Sequence, residues 1–262
     1  MNAPYETIEF KQDGRVALIT LNRPKAANGL NAQLASDLKN AAKFCDTEND
    51  IRAVVLTGNG RFFCAGGDIK EMASHGDDVG PAIKRLADDL HLAISTFSRM
   101  EKPIITALNG MAAGAGFSLA IASDIVIACE AAGFTMAYTK AGLSPDGSSS
   151  YFLPRLVGLR RAQDLMLTNR KLSAQEAYEW GLVTRLVPAD ELMLSSMKLA
   201  HDLASGSKGA NAAVKKLLLT SFNNSLETQM EIEGREISTR AASPDGREGI
   251  TAFVEKRPPD FS

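Results

Sequence analysis

The sequence predicts an α/β fold in which sheets are covered by helices, followed by a C-terminal part that is mainly helical. Apolar runs typical of buried strands alternate with segments whose apolar residues have helical spacing, and this unit recurs along the first half of the chain. Strand-like runs then nearly disappear after about residue 148. A chain of 262 residues that is 45% hydrophobic is long enough to bury such a core.

The core begins with two predicted strands and a helix between them. Arg15 to Leu21 and Arg52 to Thr57 are apolar runs bounded by turn residues, which predicts buried strands. Asn31 is placed to cap a helix over residues 31–44, whose apolar residues share one face. The same alternation predicts a helix over 81–99, a strand over 103–108, a helix over 114–123 and a strand over 124–129.

The second half of the chain is expected to be helical. Helices are predicted over 148–157, 159–168, 173–180, 189–205, 208–223, 225–241 and 245–255, with one strand-like run over 182–187 and an extended end at 256–259. We therefore divide the chain into an α/β core over residues 1–200, which contains the active site, and a helical C-terminal region over residues 201–262.

Composition excludes several classes of protein. The formal net charge of −2 gives no general attraction to nucleic acid or to an anionic membrane surface. Residues 1–11 lack a signal-peptide pattern, and no apolar run is long enough to span a bilayer, so a cytoplasmic location is expected. Cys45, Cys64 and Cys129 have no metal-binding spacing and are odd in number, which predicts reduced structural thiols.

Two glycine-bearing segments carry almost no side-chain chemistry. They are residues 63–69 (FCAGGDI) and 109–116 (NGMAAGAG), and each follows an apolar strand-like run. Where side chains are this small, backbone N–H groups can approach a ligand closely, and two of them on one oxygen would stabilise an anion forming there. The sequence therefore predicts an enzyme whose electrophilic groups are its own backbone amides.

Other catalytic motifs are absent. The sequence around Gly114 and Gly116 lacks the third glycine of a dinucleotide-binding loop, and there is no phosphate-binding P-loop and no G-x-S-x-G nucleophile elbow. His75, His91 and His201 are scattered without metal-ligand spacing, so no metal site is expected.

Asp146 is the candidate catalytic carboxylate. It lies in a Pro/Gly/Ser loop over residues 142–150 that leads into an apolar helix. A helix N-cap or a turn is the ordinary role of an aspartate in such a loop. The apolar residues around it in the sequence instead favour a general base. These residues are Phe134, Met136, Tyr138, Leu143 and Phe152.

The sequence resembles the crotonase (enoyl-CoA hydratase/isomerase) superfamily from about residue 5 to the C-terminus. Four segments carry the resemblance in the family's order and spacing: 22–28 (NRPKAAN), 63–72 (FCAGGDIKEM), 102–110 (KPIITALNG) and 180–183 (WGLV). The resemblance implies a crotonase-like spiral of repeated ββα units, a helical C-terminal trimerisation region, and an acyl-CoA thioester as substrate. It also implies a homotrimer or a dimer of trimers, and no cofactor beyond the coenzyme A of the substrate.

The resemblance also implies roles for individual residues. The N–H groups of Gly67 and Ala115 would hold the thioester oxygen, although most relatives have glycine where Ala115 stands. Coenzyme A would be bound by residues of the core and by two residues of a neighbouring subunit. The core residues are Lys25, Ala27, Ala65, Asp68, Ile69 and Gly114, and the residues of the neighbour are Phe253 and Lys256. Asp68 is equally placed to cap the helix that follows it, and Lys25 to be an ordinary solvated lysine.

The departures from the family pattern bear on the reaction. Hydratases of this superfamily use two glutamates to hold and activate water, and the matching positions here are Ser118 and Tyr138. Asp146 matches the acidic position that similar isomerases use to move a proton along an enolate. A single carboxylate suffices for that task, so double-bond isomerisation is favoured.

Three alternatives remain open. A related aryl-CoA dehalogenase uses the acidic position as a nucleophile, and His91 falls at the position of its water-activating histidine, although the aromatic wall of that site is replaced by Gly67 and Leu90. His91 also lies beside an apolar helical stripe, where a structural role is ordinary. Hydration or hydrolysis with Asp146, Tyr138 or His91 is a second alternative. A non-catalytic acyl-CoA-binding or RNA-binding relative is a third.

Overall fold

A computed structural model describes residues 5–261. Residues 1–4 of the predicted core and residue 262 of the predicted C-terminal region lie outside the described part. Its larger sheet has six strands in the order β1-β2-β3-β5-β7-β10. All neighbours in this sheet are parallel except β1 and β2. The strands are β1 (Ile8–Asp13), β2 (Val16–Leu21), β3 (Ala53–Gly58), β5 (Ile104–Leu108), β7 (Ile125–Cys129) and β10 (Arg185–Val187).

A second, smaller sheet has four short strands in the order β4-β6-β8-β9. They are β4 (Phe62–Cys64), β6 (Met111–Ala113), β8 (Gly133–Thr135) and β9 (Leu172–Ser173). β4, β6 and β8 are parallel, and β9 runs antiparallel to β8. Leu30 forms an isolated parallel bridge to Gly67, so the segment after β2 pairs with the chain just beyond β4.

The chain winds as a repeated ββα unit. Each of β3, β5 and β7 passes through a short corner into a strand of the smaller sheet, and helices follow. Because consecutive turns place their strands side by side in both sheets, each turn buries its apolar residues against the next. The spiral of ββα units that the resemblance implies is therefore present.

Helices cover the sheets and make up most of the second half. They are α1 (Ala32–Thr47), α2 (Ile69–Ser74), α3 (Val79–Arg99), α4 (Ala115–Ile121), α5 (Ser149–Val157), α6 (Leu159–Thr168), α7 (Ala174–Glu179), α8 (Leu192–Ala204), α9 (Lys208–Ser221), α10 (Leu226–Ala242) and α11 (Pro244–Glu255). Asn31 caps α1 as predicted, since its side chain accepts a hydrogen bond from the N–H of Leu34. Among residues 5–261, no helix is long and apolar enough to cross a membrane.

The predicted strands and helices are present, and so is the helix that the sequence places after Asp68, which is α2. The sequence did not reveal β1 or the strands of the smaller sheet. β1 is exposed along most of its length, so it lacks an apolar run. The strands of the smaller sheet are two or three residues long, which is too short for a hydrophobic period to appear.

The helical C-terminal part is joined to the core by an ion pair whose lysine is buried. The Nζ of Lys215 on α9 lies 2.7 Å from Oδ2 of Asp124, and it donates hydrogen bonds to the carbonyl oxygens of Phe97 and Lys102. Burial lowers the pKa of Lys215, and the neighbouring Asp124 acts in the opposite direction. Breaking such a pair leaves a buried charge without its partner, so this contact fixes where α9 packs.

Several large apolar side chains remain exposed on the later helices. They include Leu156, Leu159, Val214, Leu218, Phe222 and Phe253. Exposed apolar surface of this kind is typical of an interface between subunits. The expected trimer stays a prediction.

Candidate active site

The two glycine-bearing segments meet at one cavity of about 480 Å³. Gly66 and Gly114 have φ of +94° and +49°, which favours residues without a side chain. A Cβ at Gly66 would lie 3.0 Å from the Ala113 carbonyl oxygen and 3.5 Å from the Gly114 Cα. The segments therefore touch through their backbones, and an added side chain would push them apart.

The N–H of Gly67 is oriented by an isolated β-bridge just beyond β4. In the parallel bridge with Leu30, the carbonyl oxygen of Gly66 accepts from the Leu30 N–H, and the Asp68 N–H donates to the Leu30 carbonyl oxygen. Because N–H groups of successive residues in a strand point to opposite sides, the Gly67 N–H points away from Leu30. Within residues 5–261 it has no hydrogen-bond acceptor, and Gly67 lines the cavity.

The N–H of Ala115 is left open by the start of a helix. Ala115 is the first residue of α4, and the first N–H groups of a helix have no intrahelical acceptor. The residue is 6% exposed and lines the same cavity. The positive end of the helix dipole also favours negative charge at this position.

Ala137 extends this pattern to a third turn of the spiral, and sequence reasoning missed it. It follows β8 as Gly66 follows β4 and Gly114 follows β6, and all three have positive φ and line the cavity. Its φ of +56° is unusual for a residue with a side chain, and such strain is often found at functional sites. No glycine marks this position, so the sequence contained no signal for it.

Asp146 faces this cavity from the loop before α5. Its Oδ1 accepts a 2.6 Å hydrogen bond from the Tyr138 hydroxyl, and its Oδ2 lies 3.7 Å from Nε2 of His91. The side chain is 30% exposed. The N-cap position of α5 belongs to Ser148. The side chain of Asp146 therefore does not cap this helix.

Tyr138 acts as a hydrogen-bond donor to the carboxylate. Burial raises the pKa of Tyr138, and the adjacent Asp146 carboxylate raises this pKa further. The phenol therefore keeps its proton and donates a hydrogen bond to the Asp146 carboxylate. Tyr138 lines the cavity as well.

His91 lies beside Asp146 but lines a neighbouring cavity of about 420 Å³. Its Nε2 accepts a 3.1 Å hydrogen bond from the N–H of Gly147. A nitrogen that accepts a hydrogen bond does so through its lone pair. The Nε2 lone pair is thus already engaged.

The residues expected to bind coenzyme A lie in two groups. Ala65, Ile69 and Gly114 line the cavity. Lys25 and Ala27 lie outside its lining: Lys25 is exposed on a 3₁₀ turn, Pro24–Ala26, and the Ala27 carbonyl oxygen accepts from the Ala65 N–H. Ala27 has a φ of +51°, which holds this carbonyl in an uncommon orientation.

Asp68 has a structural role in α2. Its side chain caps this helix by accepting from the Glu71 N–H, and its Oδ2 lies 3.0 Å from the guanidinium of Arg23. Burial alone would raise the pKa of Asp68, but the hydrogen bond and charge of Arg23 lower this pKa below its ordinary value. Its side chain is therefore occupied, and any contact with coenzyme A falls to the main chain.

Phe253 and Lys256 lie at the end of α11 and do not line the cavity of their own chain. Phe253 is 86% exposed. Their expected contact is with the site of a neighbouring subunit, and it stays a prediction.

A further part of the cavity wall comes from α2 and α3. Its apolar residues are Met72, Ile83, Leu86 and Ala87. The sequence did not identify these side chains as facing inward, because a helix with apolar residues over more than one face does not identify its inner side. A Cβ at Gly67 would overlap the Met72 methyl carbon, so this side chain packs directly on the Gly67 turn.

Comparison with known proteins agrees with this architecture. The family model described as enoyl-CoA hydratase/isomerase matches residues 11–262, and the chain belongs to this family, part of the crotonase superfamily. A solved enoyl-CoA hydratase from a Polaromonas species superposes with a TM-score of 0.93 at 32% identity, covering 97% of this chain and 99% of that one. The predicted fold class and family are confirmed.

Individual relatives carry different names. A probable enoyl-CoA hydratase from Rhodobacter capsulatus is 39% identical over 98% of both chains. A 1,2-epoxyphenylacetyl-CoA isomerase from Escherichia coli is 36% identical, covering 94% of this chain and 95% of the relative. The family membership is therefore shown, and both reaction types occur among the relatives.

Proposed function

We propose that this protein shifts a double bond in an enoyl-CoA thioester by proton transfer through an enolate. One observation carries the proposal: among the described residues, Asp146 is the only acid that lines the cavity of Gly67 and Ala115. One carboxylate can remove a proton and return it to another carbon, and no second acid is needed.

In the proposed reaction, Asp146 removes a proton from the carbon next to the thioester carbonyl of a 3-enoyl-CoA. The electron pair of that C–H bond moves into the carbonyl, and the resulting oxyanion accepts hydrogen bonds from the N–H groups of Gly67 and Ala115. Donors of this kind contribute about 2.7 to 4 kcal/mol each in a transition state. The carboxylic acid then returns its proton to the far carbon of the original double bond, which leaves a conjugated 2-enoyl-CoA.

Oδ2 is the oxygen that would carry the proton. Oδ1 accepts from Tyr138, so it is held in place, whereas Oδ2 lies 3.7 Å from the accepting nitrogen of His91. An accepting nitrogen gives no hydrogen bond to a carboxylate. Oδ2 therefore keeps lone pairs available for a substrate proton.

Hydration is the second candidate, because most of the named relatives are hydratases. The positions of the two hydratase glutamates argue against it. Ser118 is fully buried, and its hydroxyl donates to the Asp146 carbonyl oxygen, while the Tyr138 hydroxyl donates to the Asp146 carboxylate. Neither group is a base for water.

A dehalogenase or hydrolase reaction has less support. It needs a base that activates water beside the Asp146 ester, and His91 is the candidate. The Nε2 lone pair of His91 already accepts from the Gly147 N–H, so that nitrogen cannot also receive a proton from water without breaking this bond.

The remaining assignments belong to the same proposal. Coenzyme A is bound through the main chain near Ala65, Ile69 and Gly114, with Lys25 toward its phosphates. Phe253 and Lys256 would complete the site from a neighbouring subunit of a homotrimer or a dimer of trimers. No cofactor beyond the coenzyme A of the substrate is required by the chemistry, and we expect the enzyme to act in the cytoplasm.

The test uses a panel of 3-enoyl, 2-enoyl and aryl-CoA thioesters with the wild type and the Asp146→Asn variant. The wild type should convert 3-enoyl into 2-enoyl thioesters, and the variant should lose about 10² to 10⁴ in kcat, the range of a general base, while still binding acyl-CoA. Asp190→Asn, at an exposed position outside the cavity lining, is the matched control and should be unaffected. Hydration of 2-enoyl thioesters without isomerisation would overturn the proposal.

A further inference from the structure

The peptide unit between Asp146 and Gly147 is held at both ends by side chains. Its carbonyl oxygen accepts from the Ser118 and Ser149 hydroxyls, each at 2.9 Å. Its N–H donates to Nε2 of His91 at 3.1 Å. The orientation of this peptide sets the direction of the Asp146 side chain, because rotation about it changes the backbone angles on both sides.

This loop has little other support. Between the 3₁₀ turn Thr139–Ala141 and α5, the chain forms no strand or helix. Gly147 has a φ of +60°, and a Cβ there would lie 2.8 Å from the Ser118 Cβ. The peptide therefore packs tightly on α4 on one side, and His91 of α3 is the only side chain that binds its N–H among the described residues.

We propose that His91 is a positioning residue for Asp146, which acts through the Gly147 N–H and does not touch the substrate. The proposal rests on the proposed function in that Asp146 is taken as the base. His91 does not line the cavity of Gly67, Ala115 and Asp146, so it does not contact a substrate bound there. Its acceptor nitrogen instead fixes the peptide from the side opposite Ser118.

The positioning role requires a hydrogen-bond acceptor at Nε2 of His91 and an uncharged imidazole ring. A protonated imidazole has no free lone pair, so it would release the Gly147 N–H and place a cationic N–H 3.7 Å from Oδ2. The other titratable groups beside the ring are Tyr151 of α5 and Arg99 of α3, which line the same neighbouring cavity. α9 contributes Leu219, and Asn223 follows that helix; neither titrates.

The experiment compares His91→Leu, which removes the acceptor, with His91→Gln, whose amide oxygen reaches a similar position without a charge. We expect His91→Leu to lower kcat about three- to tenfold with KM unchanged, the range of one lost hydrogen bond. His91→Gln should recover most of this loss. His75→Leu, at an exposed histidine outside the active cavity, is the matched control.

Two results would overturn the positioning role: a His91→Gln variant as slow as His91→Leu, or a KM that rises while kcat stays constant. The comparison is made on whichever reaction the wild type performs, since both isomerisation and hydration would involve Asp146. If the wild type only hydrated its substrate, and His91→Leu lost activity that His91→Gln recovered, the positioning role of His91 would be supported. The proposed isomerisation would then be contradicted.

Discussion

The two sides of the cavity are built in different ways. On one side, the N–H groups of Gly67 and Ala115 are placed by a sheet bridge and by the start of a helix, so that only backbone is involved. On the other side, Asp146 lies on a loop whose position depends on Tyr138, Ser118 and His91, which come from three separate parts of the chain.

Because of this difference, the two sides should respond differently to amino-acid substitution. A backbone donor survives most side-chain substitutions, because the N–H remains unless proline replaces the residue. A carboxylate on a loop depends on each of its side-chain contacts, and small misplacements of a reacting group reduce rate strongly. On the first side, a variant should therefore matter through whether the N–H donor is present. On the second side, a variant should matter through the orientation of the carboxylate.

After Asp146→Asn, the largest expected effect in this comparison is that of Ala115→Pro. Proline is well accepted at the first position of a helix, so α4 should form, but the N–H donor is gone. We expect kcat to fall about 10²- to 10³-fold, the loss typical of one oxyanion donor. Steady-state kinetics measure this effect, and circular dichroism checks the fold.

Ala115→Gly is the matched control for this substitution. It keeps the N–H, so activity should stay close to that of the wild type. If the glycine variant lost as much activity as the proline variant, the methyl group and not the N–H would be the important feature of residue 115.

Tyr138→Phe should have the next largest effect. It removes the 2.6 Å hydrogen bond to Oδ1, and the freed carboxylate should lower kcat about tenfold through lost orientation. Binding of acyl-CoA should change little, because the ring that lines the cavity is kept.

The pH dependence sharpens the prediction for Tyr138. Burial and the adjacent carboxylate raise the pKa of Tyr138, so the donating, protonated form is present below that raised pKa and persists through alkaline pH. Wild type and Tyr138→Phe should therefore share the same alkaline limb up to about pH 10, the ordinary tyrosine pKa. An alkaline loss of activity that only the wild type shows would contradict a permanently protonated Tyr138.

Ser118→Ala should have the smallest effect. The Asp146 carbonyl oxygen loses one donor but keeps the Ser149 hydroxyl at 2.9 Å, so a decrease in kcat of about two- to fivefold is expected. Ser221→Ala removes a similar hydroxyl-to-carbonyl bond on exposed α9 and is the control. If kcat fell as much as in Tyr138→Phe, the hydrogen bond from Ser118 to the Asp146 carbonyl oxygen would be at least as important for activity as the hydrogen bond from Tyr138.

The sequence was most informative about the part of the candidate site that is built from backbone groups. The glycines at 66, 67, 114 and 116 indicated two close backbone turns, because few other residues allow such approach. The long apolar runs likewise predicted the strands of the larger sheet other than β1. The short strands β4, β6 and β8 carry no period of their own, and they exist because neighbouring turns of the spiral pair with them.

The loop of Asp146 was less predictable. Its aspartate was found by its place in the sequence, but the Gly147 contact to His91 joins residues 56 positions apart, and the Ser118 contact joins residues 28 apart. Such contacts follow from the packing of α3 and α4, which no local pattern encodes. Ala137 shows the same limit, because its positive φ is imposed by its surroundings.

The most direct test of the central claim is exchange of the proton next to the carbonyl of a saturated acyl-CoA in deuterium oxide. This exchange requires both the enolate donors and the base, without a complete reaction. We predict exchange by the wild type and by Ala115→Gly, and strong loss in both Ala115→Pro and Asp146→Asn with acyl-CoA still bound. Undiminished exchange in either of these two variants would contradict the account.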